Sequence, residues 1–262
     1  LRDGRLALVL VFTMLVRPVE GSAQAAAPSS GGWRTPWSYD GAKGPAHWGE
    51  LDPDYAACSA GREQSPIDIA GTTKTALPAV RFAYKNGPVR LINNGYTAVR
   101  VNYPGGNGNF LLVGDTRYEL TQFHFHHPSE EYVHGKPYAM AAHLMHASSD
   151  GKVAGVTVLL KAGAANATVQ RLWDHMPPTP GTEHEIAGLE VDPSGLLPRE
   201  FAFYMYAGSQ TAPPCTEGVT WIVLKTPVEV SPAEIDAFAK LYPHDARPIQ
   251  PLNGRVVKES PR

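Results

Sequence analysis

The chain has only two cysteines, Cys58 and Cys215, in 262 residues. Neither has a neighbouring Cys or His at ligand spacing, so a closed four-ligand structural zinc site has nothing to build on. Charge is also scarce. Charged residues make up 18% of the chain and the net charge is -2, against roughly 25% charged residues in an average domain. With no basic excess to attract nucleic acid and no acidic run to attract cations, the composition points to a small-molecule partner. Internal repeats, long linkers and composition shifts are missing as well, so one large domain is expected. Long hydrophobic runs are missing too. The apolar run over residues 6–16 is too short to span a bilayer, and no longer one follows it.

What is present reads in order. Arg2 and Arg5 precede that apolar run, and the small residues Ala23-Gln24-Ala25 follow it. This is the pattern of a secretory signal peptide over residues 1–25, with cleavage between Ala23 and Ala27. Residues 26–36 read as a loose segment and 37–258 as the domain, placing the protein in the periplasm or secreted, with no membrane span after signal removal. In a cytosolic protein the two cysteines would be free thiols. In an exported one their even count suggests a single bridge, worth roughly 4–5 kcal/mol by loop-closure entropy. Glycine and proline are frequent, 25 and 24 residues, which implies many turns and short elements. Short apolar runs alternate with turn signals. "VRLINNGYTAVRVNYPGGNGNFLLV" (89–113) reads as strand, turn and strand, and "EFAFYMYAG" and "GVTWIVLKTPVEV" as two more strands. The clearest helix is "SPAEIDAFAKLY" (231–242), with Ser231 as cap, Pro232 in the first turn and Glu234 completing a capping box. "NATVQRLWDHM" is a weaker one. The expected class is β-rich (α+β), a single domain with short peripheral helices.

The chemistry sits in "QFHFHHP" (122–128). Side chains two apart on a strand share a face, so His124 and His126 point one way and Phe123 and Phe125 the other. His143 follows in "MAAHLMH", an apolar segment that also reads as a strand, after the polar stretch "HPSEEYVHGKPY". If the two strands are neighbours, three imidazoles converge, and three nitrogens with one open position are a catalytic zinc arrangement. A His-x-His pair alone is weak evidence, because histidine is common in this chain. His47, His127, His134, His146, His175, His184 and His244 fit surface or hydrogen-bonded core positions.

Several further segments occur in a telling order: "WSYDGAKGPAHWGEL", "QSPIDI", "INNGY", "QFHFHHPSEE", "AAHLMH", "YAGSQTAPPCTEGVTWIVLK" and "RPIQPLNGR". From Trp37 to Arg255 the chain resembles the alpha-class carbonic anhydrases, in particular the exported bacterial type. The resemblance implies a large, mostly antiparallel twisted sheet with one catalytic Zn2+ at the base of a conical cleft, held by His124, His126 and His143. It implies reversible hydration of CO2 to bicarbonate and a proton, by attack of a hydroxide that zinc generates from water. Thr211 matches the family's gatekeeper threonine, and Glu130 the acid that takes its hydroxyl proton. Gln122 matches the partner of the first ligand. Cys58 and Cys215 sit where exported members carry a disulfide. Sulfonamide and anion inhibitors are expected at the zinc, and a homodimer is compatible with the family.

The resemblance also has gaps. Ala141 stands where a glutamate is usual two residues before the third ligand, which leaves the second nitrogen of His143 without its usual carboxylate. Val219 and Trp221 match the family's apolar substrate pocket. Gln210 replaces a leucine there, Met145 a valine and Gly155 another valine, while Ala212 replaces a threonine beside the gatekeeper. Tyr96 occupies the place of a proton-shuttling histidine and is expected to shuttle poorly; His47 and His127 are candidates to replace it, although the sequence places neither at the cleft mouth. The competing reading is an inactive or weakly active relative that serves as a secreted binding or structural protein.

Overall fold

The computed structural model describes residues 35–95, 100–177, 179 and 182–261. The expected signal peptide and Tyr96 lie outside the described residues. Among the described residues no helix is long and apolar enough to cross a membrane.

The expected sheet is present as a 12-stranded sheet. Most of its pairs are antiparallel. Val153–Ala162 and Glu217–Val230 form a parallel pair at its centre. That pair is apolar on both faces, as a doubly covered parallel pair must be: Val156, Val158, Leu160, Ile222 and Leu224 lie in one core cluster, and Leu159, Val219, Trp221 and Val223 in a second. The strand Thr116–His126 shows the predicted division of faces. Phe123 and Phe125 are fully buried in the larger cluster, each contributing roughly 1.5–3 kcal/mol of burial, which leaves the opposite face to the imidazoles.

Residues 89–113 keep their predicted bend but not a simple hairpin. Arg100–Asn102 pairs with the strand Gly87–Asn93 on one side and with Phe123 and Gln122 on the other. Phe110–Val113 pairs instead with residues 116–119 and with Val80–Ala83. The Thr116–His126 strand is long enough to accept the two segments end to end, so the two flank it in tandem and do not pair with each other.

Both predicted helices form. Pro232–Leu241 starts in a complete capping box between Ser231 and Glu234. Ala167–Trp173 starts at Asn166, whose side chain accepts from the amides of Thr168 and Val169. A small separate sheet joins Asp68–Ile69, Tyr132–Val133 and Lys136–Pro137. It anchors the loop that follows the histidine strand. Cys58 and Cys215 form a disulfide, next to a buried cluster that contains Trp37, Trp48 and Tyr55.

His146 is a buried, hydrogen-bonded core residue. One ring nitrogen, Nε2, lies 2.6 Å from the Tyr84 hydroxyl, and Nδ1 lies 3.3 Å from the Ala154 carbonyl. With Nδ1–H donating to that carbonyl, Nε2 is left to accept from Tyr84. Burial pushes its pKa down to about 3, so the folded protein keeps it neutral while the unfolded chain protonates near 6.5. The stability this confers is complete above pH 6.5 and is lost as pH falls toward 3. From pH 6.5 to 5 the loss is roughly 1–2 kcal/mol. Urea unfolding of wild type and His146→Asn over that range should show the wild type losing more stability. Parallel curves would mean that His146 does not carry this dependence.

Candidate metal centre

Antiparallel pairing of Thr116–His126 with Met140–Ser148 places His143 directly opposite His124. His126, two residues on from His124, shares its face. The ring centroids are 4.9 Å apart for His124 and His126, 5.5 Å for His124 and His143, and 4.7 Å for His126 and His143. One nitrogen from each ring falls within 4.8 Å of the others.

The remaining nitrogen of each ring is held. Gln122 Oε1 lies 2.8 Å from His124 Nδ1. The Asp245 carbonyl lies 2.7 Å from His126 Nδ1, and Glu131 Oε2 lies 3.1 Å from His143 Nε2. These contacts set which nitrogen carries the proton. His126 Nε2 and His143 Nδ1, left over, are buried atoms with no hydrogen-bond partner. Buried polar atoms are rarely left unpaired. Two such atoms aimed at one point, with a third imidazole beside them, fit a metal ion held by neutral imidazoles. Burial depresses His124 and His126 well below the ordinary imidazole range, helped by their neighbouring imidazoles. They are therefore neutral and free to ligate.

Two acids lie against the cluster, and the small sheet puts them there. The Tyr132 amide donates to the Ile67 carbonyl, and the Ser129 hydroxyl donates to the Glu131 carbonyl. Glu130 and Glu131 are fully buried as a result. Glu130 Oε1 accepts the Arg247 amide at 2.7 Å. Its Oε2 lies 3.4 Å from His126 Nε2 and 3.7 Å from His143 Nδ1. Burial pushes the Glu130 carboxyl up to about 7, against the pull of His143, of the Thr211 hydroxyl and of the Arg247 amide. Thr211 is almost completely buried. Its loop is closed by the Gln210 amide donating to Thr216, the Cys215 amide donating to Ala212, and the disulfide.

The expectation that Ala141 leaves His143 without a carboxylate is corrected here. Ala141 does share the strand face with His143 and is fully buried, but Glu131 from the preceding loop reaches the nitrogen instead. Thr157, paired with His143 on the next strand, donates from its hydroxyl to Glu131 Oε1 at 2.8 Å. Glu131, Thr157 and the Asp245 carbonyl are not among the residues that the sequence pattern marks. The one signal available was the second acid of "SEE", which strand alternation cannot place because it belongs to a loop.

Of the expected pocket residues, three line up across adjacent strands. Met145 pairs with Gly155 and Gly155 with Trp221. Val219 and Trp221 are buried, and the Trp221 ring centroid lies 4.7 Å from that of His143. A Cβ added at Gly155 would lie 2.6 Å from Trp221 Cζ3, so the indole occupies the space a side chain at 155 would need. Gln210 is half-buried, next to Thr211. His47 stands elsewhere, in a surface cavity of about 250 Å³ shared with Tyr39 and His244 but with none of the three clustered histidines. His127 is tied to the segment after the last helix, its amide donating to Asp245 and its ring lying 3.0 Å from the Pro243 carbonyl.

A family model described as eukaryotic-type carbonic anhydrase matches residues 43–261. A carbonic anhydrase from Nostoc sp. is 44% identical over 229 residues, covering 86% of this chain and 86% of that protein. One from Klebsiella pneumoniae is 44% identical over 224 residues, covering 85% and 90%. Among solved structures, the alpha-carbonic anhydrase of Thermovibrio ammonificans in complex with sulfanilamide superposes with a TM-score of 0.81 at 40% identity. It covers 87% of this chain and 100% of that one.

Replacing His124, His126 or His143 singly by Ala removes one of three convergent nitrogens. Metal analysis of the purified variants should show zinc falling from one per chain to a small fraction, with hydration activity down by roughly 100-fold or more. Full zinc content in two of the three variants would reject this ligand set.

Proposed function

The chain belongs to the eukaryotic-type carbonic anhydrase family, with one zinc and reversible hydration of CO2 as its activity, and on that premise we propose how its own residues divide the work. His124 and His126 through Nε2, and His143 through Nδ1, hold the zinc. The observation that carries this reading is the pair of buried, unpartnered nitrogens facing the shared point. Zinc, when bound, supplies Lewis-acid activation of water, lowering its pKa to about 7, the figure established for the carbonic anhydrase class itself.

Thr211 and Glu130 orient the attacking oxygen. The Arg247 amide occupies Glu130 Oε1, leaving Oε2, a buried atom with no other hydrogen-bond partner, to accept a hydrogen bond from the Thr211 hydroxyl. A threonine whose only hydrogen is given away can do nothing but accept. It therefore accepts a hydrogen bond from the attacking oxygen and turns that oxygen's lone pair toward CO2. Val219, Trp221, Met145, Gly155 and Gln210 form the wall against which CO2 sits. Neither sequence nor geometry removes a ligand histidine, the loss that an inactive binding relative would be expected to show. Residues 1–25 direct export to the periplasm or beyond, where the Cys58–Cys215 bridge persists. Sulfonamides are expected to bind at the zinc; the Thermovibrio ammonificans structure is a complex with the inhibitor sulfanilamide.

Thr211→Ala and Glu130→Gln should each lower kcat/KM by roughly 100-fold while leaving one zinc per chain. In the second variant a side-chain amide would donate where the carboxylate accepted, reversing the Thr211 hydroxyl. Wild-type kcat/KM in Thr211→Ala would reject the orienting role.

Each turnover also releases a proton that must leave the cleft, and residue 96 is where the family relays it. An unperturbed tyrosine is about one part in a thousand ionised at pH 7, so Tyr96 does not relay by titrating. In dilute buffer kcat should be limited by proton export and rise on addition of imidazole-type buffer. Tyr96→His, with a pKa near 6.5, should raise kcat and leave kcat/KM almost unchanged. A kcat indifferent to buffer and to this substitution would place the bottleneck elsewhere.

A further inference from the structure

We infer that Glu131 is the positioning residue for the third zinc ligand, and that Glu131 and Ala141 form a coupled pair in which a loop carboxylate has taken over the place of a strand carboxylate. The inference rests on the zinc-site reading above and deepens it.

Three contacts carry it. Glu131 Oε2 meets His143 Nε2 at 3.1 Å, and both side chains are completely buried. The other oxygen, Oε1, accepts the Thr157 hydroxyl at 2.8 Å, so the carboxylate is fixed at both ends. Thr157 is the direct cross-strand partner of His143, which means that clamp and ligand are set by one sheet register. The backbone is also fixed, because Ser129 and the parallel pairing of Tyr132 with Asp68 hold residues 129–132. With Nε2 engaged as a donor, the proton of His143 is committed to that side and Nδ1 is left with its lone pair inward. A carboxylate in this place also makes the imidazole a better donor to a metal.

The empty position explains itself on the same grounds. A second carboxylate at residue 141 would be buried on the same face, competing for a nitrogen that has only one proton to give. Two buried like charges facing the same nitrogen are mutually destabilising. Small, fully buried Ala141 is therefore what a filled site requires, and Thr157 is what the relocated acid needs as its second partner.

Zinc loss to an excess of dipicolinate tests this independently of catalysis, read by metal content against time in zinc-loaded protein. Glu131→Ala should lose zinc roughly 10–100-fold faster than wild type. Glu131→Gln, which keeps the shape but not the charge, should fall between the two. Restoring a carboxylate from the strand, in Glu131→Ala combined with Ala141→Glu, should recover a large part of the loss. Ala141→Glu alone should be no slower than wild type. In zinc-loaded protein, 15N spectra of labelled histidine should show the His143 Nε2–H signal shifted in both Glu131 variants, a change that general loosening of the loop would not confine to one ring. Should Glu131→Ala fail to fold, Glu131→Gln decides: loss of zinc at the wild-type rate overturns the inference. A slower loss from Ala141→Glu alone overturns it too, because the position would then have been vacant. A wild-type protein that holds zinc this way but does not hydrate CO2 would instead count against the proposed function and leave the positioning role standing.

Discussion

Every inward-facing imidazole of the cluster depends on what its other nitrogen touches. An imidazole has two nitrogens and, when neutral, one proton, so fixing the proton on one side delivers a lone pair on the other. Gln122, the Asp245 carbonyl and Glu131 each fix one ring. They come from three different kinds of structure: a strand neighbour, a distant loop carbonyl and a buried loop acid. The site is therefore less a property of two strands than of the segments that converge behind them.

Those segments are tied to one another. Arg247 donates its amide to Glu130 and its guanidinium to Gln64, to the Ser65 carbonyl and to the Cys58 carbonyl. Cys58 is bonded in turn to Cys215, whose carbonyl accepts from Gln64. Cys215 itself sits in the left-handed backbone region, with φ of 58°, a conformation that a non-glycine residue holds only when its surroundings impose it. The disulfide thus does more than shorten the unfolded chain. It joins the loop that carries Thr211 to the residues that hold Glu130, so these two side chains are positioned by one connected network.

The apolar wall shows a similar economy of exchange. Gly155 lacks a side chain, and the Trp221 indole lies in the space that one would fill, at 4.7 Å between ring centroids from His143. Counting side-chain volume alone, the glycine would open a hole. Close packing instead lets the neighbouring ring settle against the strand backbone. At both Gly155 and Ala141 a small residue leaves room that a neighbouring side chain, Trp221 or Glu131, makes use of.

Local pattern was enough for much of this. Alternation along Thr116–His126 separated Phe123 and Phe125 from His124 and His126, because side-chain direction on a strand has a period of two and needs no knowledge of the rest of the fold; His143 joined them only on the condition that the two strands are neighbours, and through the family resemblance. The capping box at Ser231 and Glu234 was legible because both partners lie within one turn. Glu131 was not legible, and neither was the carbonyl that holds His126, 119 residues away in sequence. A loop acid has no periodicity to betray its direction, and a backbone carbonyl carries no residue identity at all. Which side chains could ligate is written in residue type and spacing. Which atoms hold them in place is not, because those contacts are made between segments whose proximity is settled by strand register, the small second sheet and the disulfide.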